Sequence, residues 1–375
     1  MTEVPLLQVD DLHVTFDTED GLVRAVDGVS FTVERSKTLG IVGESGSGKS
    51  VTSLTIMGLT RGPATQISGS AVLEGTDLVS ASNEHLREVR GNDVAMVFQD
   101  PLSSLHPFYQ VGSQLVEAIQ THQHVSRAQA FDRAGELLEL VGIPDARRRL
   151  LSYPHEFSGG MRQRAMIAMA LANDPKVLIA DEPTTALDVT VQAQILELIA
   201  RLQAELGMGV VIITHDLGVV AETADEIAVM YAGRIVEEAR TDTLFDAPEH
   251  PYTWGLLESI PKLTGPREEE LIPIPGRPPS LINRPSGCSF HPRCPYVREA
   301  HKRVDPQLEP VPGDAGHRTA CLLVPEVRRE LWSKLKAGAE PEKARAEVPL
   351  RDEEDLERRD ADGLSQDAGL DAPRR

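Results

Sequence analysis

The sequence is short of several things, and each shortage excludes a class of protein. No apolar run in its 375 residues approaches the ~18–20 needed to cross a bilayer. Met1-Thr2-Glu3-Val4 lacks the basic start and apolar stretch of a secretory signal. The chain is therefore expected to be made and kept in the cytoplasm, and any work at a membrane needs another component as anchor. Cysteine is scarce: the three thiols, Cys288, Cys294 and Cys321, do not make a disulfide framework, and their clustering favours a metal or cluster. Positive charge is deficient too. Against 58 Asp and Glu stand 38 Lys and Arg, a formal net charge of −20, which opposes a general nucleic-acid binder because phosphate backbones need a basic face. Residues 338–375 hold twelve acidic and seven basic side chains, so most of the excess lies upstream and reads as solubility by self-repulsion. Neither an internal repeat nor a sustained heptad run is present.

What remains is a globular composition, 41% hydrophobic, in a chain of about two domains at ~150 residues each. Residues 5–35 alternate apolar and polar (Leu12-His13-Val14-Thr15-Phe16, Val29-Ser30-Phe31-Thr32-Val33), which predicts antiparallel strands. From about 105 to 170 the pattern is helical, as in Val111–His122 and Ala128–Val141. Between 175 and 245 short apolar strands (Val177–Ala180, Val210–Ile213, Ile227–Met230) alternate with helices such as Val191–Leu206, the layout of an α/β fold with a helix-covered parallel sheet. Residues 261–287 are rich in proline and glycine and predict a linker or irregular subdomain. Beyond 338 charged and small residues dominate, and a disordered acidic tail is expected over 338–375.

Gly43-Glu44-Ser45-Gly46-Ser47-Gly48-Lys49-Ser50 fits G-x-x-x-x-G-K-[ST], a phosphate-binding loop. Its glycines let backbone N–H groups close around phosphate oxygens, and the following helix N-terminus adds a favourable dipole. Lys49 can reach the β- and γ-phosphates, and the Ser50 hydroxyl can complete a Mg²⁺ shell. The flanks agree: Leu39–Val42 reads as a buried strand and Val51–Leu59 as a helix. The chain is expected to bind ATP or GTP, which leaves kinases, GTPases, helicases and transport ATPases open.

Val177-Leu178-Ile179-Ala180-Asp181-Glu182 is an apolar strand ending in two carboxylates, one able to hold Mg²⁺ and the next to orient water. In isolation it is equally a strand followed by an acidic helix cap. Ser158-Gly159-Gly160, about twenty residues upstream, is either a further anion-binding N-terminus or a simple cap.

In this order and spacing the motifs resemble the ATP-binding cassette (ABC) ATPases over residues 5–250. The resemblance implies an α/β P-loop NTPase cassette: a RecA-like parallel-sheet core, an antiparallel β subdomain and an α-helical subdomain at about 101–165. It implies a cassette domain over 5–258. Ser158, Gly159 and Gly160, with Phe157 and Met161 in place of the family's leucine and glutamine, would serve ATP held by a partner cassette. Gln99 resembles the glutamine linking Mg²⁺ and water to the transmembrane partner. Ala186-Leu187-Asp188 resembles the loop that crosses between cassettes, with Asp188 at the nucleotide, and His215 the histidine that senses the γ-phosphate. Phe16 resembles the aromatic that stacks on adenine, although an ordinary strand aromatic reads the same way. Glu182, Gln99 and His215 are thus the expected catalytic residues, and Ser50, Gln99 and Asp181 the expected Mg²⁺ ligands.

The C-terminal third narrows the branch. His250-Pro251-Tyr252-Thr253-Trp254-Gly255-Leu256-Leu257, Ile274-Pro275-Gly276, Gly287-Cys288-Ser289-Phe290-His291-Pro292-Arg293-Cys294-Pro295 and Gly316-His317-Arg318-Thr319-Ala320-Cys321 resemble the ATPase subunits of oligopeptide, dipeptide and nickel importers. That branch implies a peripheral subunit on the cytoplasmic face of the membrane, driving uptake of di- or oligopeptides, with nickel as the alternative. It implies two permease subunits, a second and paralogous ATPase, an extracytoplasmic binding protein and no nucleic acid. Soluble relatives acting in translation or DNA repair are opposed by the single cassette and the lack of a coiled coil, and exporters by the C-terminal run. The branch also implies a 4Fe–4S cluster with a structural role in a small Cys-containing subdomain at 259–335. Where many relatives have a fourth cysteine this chain has His301, so Cys288, Cys294, His301 and Cys321 are the expected ligands. Zinc on the same set, or no metal, are the alternatives, and His291 and His317 are competing ligands.

Overall fold

Two apolar patterns build two kinds of sheet in the computed structural model, which describes residues 4–100, 104–185, 187–259 and 274–351. The chain divides into a unit of Met1–Arg234 and a unit of Ile235–Arg375.

In the first unit the alternating segment becomes β1 (Leu7–Thr18) and β2 (Gly21–Val33), paired antiparallel from Leu7↔Val33 to Thr18↔Gly21. On its other side β1 pairs antiparallel with β4 (Thr65–Leu73), which continues into β5 (Thr76–Asp77). Leu7, Val9, Leu12 and Val14 are buried. The shift from odd to even numbers occurs at a register irregularity between Val9 and Leu12, where Asp11 has φ 45°. An inserted residue of this kind keeps one face apolar after the count changes.

The continuous apolar runs form parallel strands: β3 (Thr38–Val42), β6 (Val94–Val97), β7 (Val177–Asp181), β8 (Gly209–Thr214) and β9 (Glu226–Tyr231). Their order is β9-β3-β8-β7-β6. Every residue of β3, β6, β7 and β8 is buried, as strands covered on both faces must be. The helices of this unit are α1 (Lys49–Ile56), α2 (Asn83–Val89), α3 (Val111–His122), α4 (Arg127–Leu140), α5 (Ala146–Arg149), α6 (Gly159–Ala170), α7 (Val189–Leu206) and α8 (Leu217–Thr223). Five begin on side-chain caps: Ser82, Ser126, Ser158, Asp188 and Asp216 each accept a backbone N–H from the first turn, which satisfies donors a helix start leaves over.

In the second unit β12 (Asp314–Thr319) pairs antiparallel with β10 (Arg234–Arg240) and with β11 (Glu309–Val311). Around them stand α9 (Thr241–Asp246), α10 (Pro251–Glu258), α11 (Pro325–Lys336) and α12 (Pro341–Glu347). Trp254, Tyr296, Leu331 and Leu335 share a core with Ala344 and Val348.

Residues 235–258, expected with the cassette, cluster with the C-terminal unit, because Trp254 of α10 packs edge-on to Tyr296, with ring centroids 5.5 Å apart. Part of the segment expected as a disordered tail is ordered: Pro341–Glu347 is helical, and its Ala344 is fully buried. A short apolar face among charges was enough to fold it. The rest of that expected tail, residues 352–375, and most of the expected linker, residues 260–273, lie outside the described residues.

Candidate functional site

The order β3-β8-β7-β6 places four strand ends side by side, and a candidate residue follows each. Gly43 follows β3, His215 follows β8, Asp181 ends β7 with Glu182 next, and Gln99 lies two residues beyond β6. The carboxyl edge of an open parallel sheet is where such folds bind ligands.

The loop after β3 turns tightly under the strands. A Cβ on Gly48 would meet Ala25 O at 2.3 Å, and φ there is +104°; one on Gly43 would meet Met230 O at 2.1 Å. Neither position accepts a side chain. Lys49 opens α1 and is buried, its Nζ donating to Gly43 O at 2.7 Å and Glu44 O at 2.9 Å. Burial pushes the Lys49 ammonium down, and Glu182, Asp181 and Glu44 push it back up. A buried cation ringed by carbonyl oxygens is a site that an anion of higher charge density can take over.

Ser50 Oγ donates to Asp181 Oδ1 at 3.1 Å. Burial raises the Asp181 carboxyl; the Ser50 hydroxyl lowers it, Glu182 raises it and Lys49 lowers it. A hydroxyl oxygen and a carboxylate in contact form a hard-donor pair that fits Mg²⁺.

The Glu182 carboxylate has three hydrogen-bonding partners. Its Oε2 accepts from Gln99 Nε2 at 2.7 Å and from Thr185 Oγ1 at 2.8 Å. Its Oε1 lies 3.1 Å from His215 Nδ1, which must carry the proton because an ionised carboxylate only accepts. Burial raises the Glu182 carboxyl, but Thr185, His215 and Lys49 together bring it below the usual range. Its backbone is left-handed, φ 46°, with its N–H bonded to Ile213 O at 2.8 Å. A non-glycine residue held there costs on the order of 1 kcal/mol or more.

Ser158, Gly159 and Gly160 meet a different group. Ser158 Oγ accepts from Met161 N–H at 3.3 Å. A Cβ on Gly160 would stand 2.8 Å from Val191 Cγ1, beside Asp188, whose Oδ1 accepts from Val191 N–H at 3.0 Å. Phe16 lies half-buried in the antiparallel sheet, across from Val23 and Thr65. Ala186 lies outside the described residues. Sequence reasoning missed Thr185, whose signal was its place three residues after a carboxylate in a turn.

The second unit gives no support to the expected four-ligand centre. Among the described residues no three His, Cys, Asp or Glu side chains are set to hold a metal ion. Cys288 and Cys321 are buried and Cys294 is partly so. Burial, reinforced by Cys321, pushes Cys288 up to about 12, and the same two causes lift Cys294 well above an ordinary thiol. The His301 carbonyl accepts from Cys288 N–H at 2.9 Å, and its Nδ1 accepts from Arg298 N–H at 3.0 Å. His291 Nδ1 donates to Cys288 O at 3.0 Å, and His317 Nε2 lies 2.8 Å from Glu237 Oε1 in a fully buried pair.

Residues 26–185 match a family described as ABC transporter, and residues 236–300 match one described as oligopeptide/dipeptide transporter, C-terminal region. Among curated relatives, an oligopeptide transport ATP-binding protein OppD of Bacillus subtilis is 52% identical over 322 residues, 86% of this chain and 90% of the relative. A probable peptide ABC transporter ATP-binding protein of Sinorhizobium fredii is also 52% identical, over 86% of this chain and 96% of its own length. Among solved structures, the dimeric ATP-binding cassette MJ0796 bound to ADP and Pi superimposes with a TM-score of 0.56 at 26% identity, covering 63% of this chain and 98% of that one. The chain cbiO1 from Clostridium perfringens, part of the ABC transporter complex cbiONQ, gives 0.55 at 28% identity, covering 65% and 91%.

Proposed function

Since the chain belongs to the ABC transporter family, in the branch that carries the oligopeptide/dipeptide C-terminal region, we propose that it is the ATP-hydrolysing subunit of a peptide importer. The observation that carries this reading is the convergence of Lys49, Ser50, Asp181, Glu182, Gln99 and His215 on one edge of the sheet. The peptide transport named for the relatives favours di- or oligopeptides over nickel as cargo.

Lys49 and the loop N–H groups bind the phosphates. Ser50, Asp181 and Gln99 would hold Mg²⁺, which when bound neutralises charge on the phosphate oxygens. Glu182 orients water and accepts its proton. The water oxygen forms a bond to the γ-phosphorus, the bridging P–O bond breaks with its electrons leaving on ADP, and the proton passes from Glu182 to inorganic phosphate. His215 holds the γ-phosphate geometry, and Phe16 stacks on adenine. Ser158, Gly159 and Gly160 close over ATP bound by a partner cassette, with Asp188 at the crossing between the two.

Among the described residues no helix is long and apolar enough to cross a membrane, so the reading places the chain as a peripheral subunit. It would sit on the cytoplasmic side of two permeases, with a paralogous ATPase and an extracytoplasmic binding protein completing the importer. The iron–sulfur and zinc readings gain no support from the ligand geometry, and no step is assigned to a metal in the second unit. Glu182→Gln in the assembled transporter is expected to bind ATP with near-parental affinity and to lose turnover by at least about 10²-fold. Hydrolysis at the parental rate would overturn the assignment.

A further inference from the structure

We propose that Thr185 is a positioning residue for hydrolysis, holding the Glu182 carboxylate through one hydrogen bond that the other partners cannot replace. The inference rests on the reading of Glu182 given above and adds a residue to it.

Three donors meet that carboxylate, and they differ in what else they must do. Gln99 reaches it from beyond β6 and His215 from beyond β8. Under the proposed mechanism both also have work at the nucleotide, Gln99 at the metal and water and His215 at the γ-phosphate. Neither can serve Glu182 throughout a cycle. Thr185 has no such second task. It sits three residues on in the same turn, its N–H donates to Glu182 O at 3.2 Å, and its hydroxyl donates to Oε2 at 2.8 Å. The turn is tied down on both sides, by Glu182 N–H to Ile213 O at 2.8 Å and Leu187 N–H to Thr184 O at 3.2 Å. Thr185 therefore travels with the carboxylate, occupying Oε2 while Oε1 is left to handle a proton.

The test is steady-state ATP hydrolysis by the assembled transporter carrying Thr185→Val, Thr185→Ser or Glu182→Gln, beside equilibrium binding of a fluorescent ATP analogue. Thr185→Val keeps the shape and loses the donor. It is expected to lower kcat roughly tenfold, the scale of one hydrogen bond to a charged group, with KM and nucleotide affinity unchanged within about twofold. Thr185→Ser restores the hydroxyl and should restore the rate. An unshifted kcat in Thr185→Val, or a Ser variant as slow as the Val one, would overturn the proposal. The Glu182→Gln arm separates the two failures. If it turns over at the parental rate, the reading of Glu182 falls; if it is inactive while Thr185→Val is normal, only the role of Thr185 falls.

Discussion

The side-chain amide of Gln99 donates to Glu182 Oε2 at 2.7 Å, joining two residues 83 positions apart in sequence. The segment that follows Gln99 is unusually apolar for a surface: Phe108 is 81% exposed and Tyr109 59% exposed. Both rings lie against His106, with centroids 6.0 and 4.6 Å away. Exposed aromatics of this kind suit burial by a partner protein.

Coupling should therefore be separable from nucleotide binding. Phe108→Ser combined with Tyr109→Ser is expected to leave ATP affinity unchanged within about twofold while reducing co-purification with the permeases at least about tenfold. Pull-down of the membrane subunits beside nucleotide titration reads both. Undiminished co-purification would remove this segment from the docking surface.

The second unit should weaken in acid in a way traceable to one histidine. Burial, then Arg328 and His301, push His250 down to about 3 from an ordinary 6.5. The folded chain thus resists a proton that the unfolded chain accepts. Stability is full above about pH 6.5 and falls as pH drops from there toward 3, by up to about 1.4 kcal/mol per unit. His250→Asn keeps an acceptor for Tyr252 N–H, which now bonds Nδ1 at 3.0 Å, and has nothing to titrate. Its denaturation midpoints between pH 7 and 4 should slope less than the parent's. Tryptophan fluorescence serves as the probe, because both tryptophans of the chain, Trp254 and Trp332, lie in this unit. Parallel slopes would refute the assignment.

The thiols give the third expectation. With Cys288 pushed up to about 12 and Cys294 and Cys321 also raised, burial being the main cause throughout, the reactive thiolate is scarce at pH 8. Iodoacetamide should alkylate the folded chain at least about tenfold more slowly than the unfolded one. Protein purified without oxygen should carry neither iron nor zinc at stoichiometry. Brown protein with about four irons would show that the thiols ligate a cluster after all.

Much of the first unit was legible because its strands and helices announce themselves locally. The uninterrupted apolar run Val177–Ala180 became β7, and the amphipathic run Val111–His122 became α3 with those same ends. The phosphate loop was legible for a related reason, since its backbone geometry demands glycine at fixed places. Long-range polar pairs leave no such trace. Glu237 and His317 meet across 80 residues, and Arg328 bonds Glu249 at 2.6 Å across 79. Nothing in the local pattern of either partner points to the other. The packing of residues 235–258 with the second unit was hidden for the same reason, because Trp254 meets Tyr296 and Trp332 by packing rather than by neighbourhood in sequence.

The end of β7 and the turn that leaves it carry Asp181, Glu182, Thr185 and Asp188 within eight consecutive positions: Asp181 is bonded to α1, Glu182 to Gln99 beyond β6, Thr185 to Glu182, and Asp188 to the start of α7. Loops on a protein surface ordinarily drift in length over evolution at little cost. This one cannot. An inserted or deleted residue would leave each side chain intact and put Asp188 out of step with Asp181, so the length of this turn constrains the site more than most of its letters do.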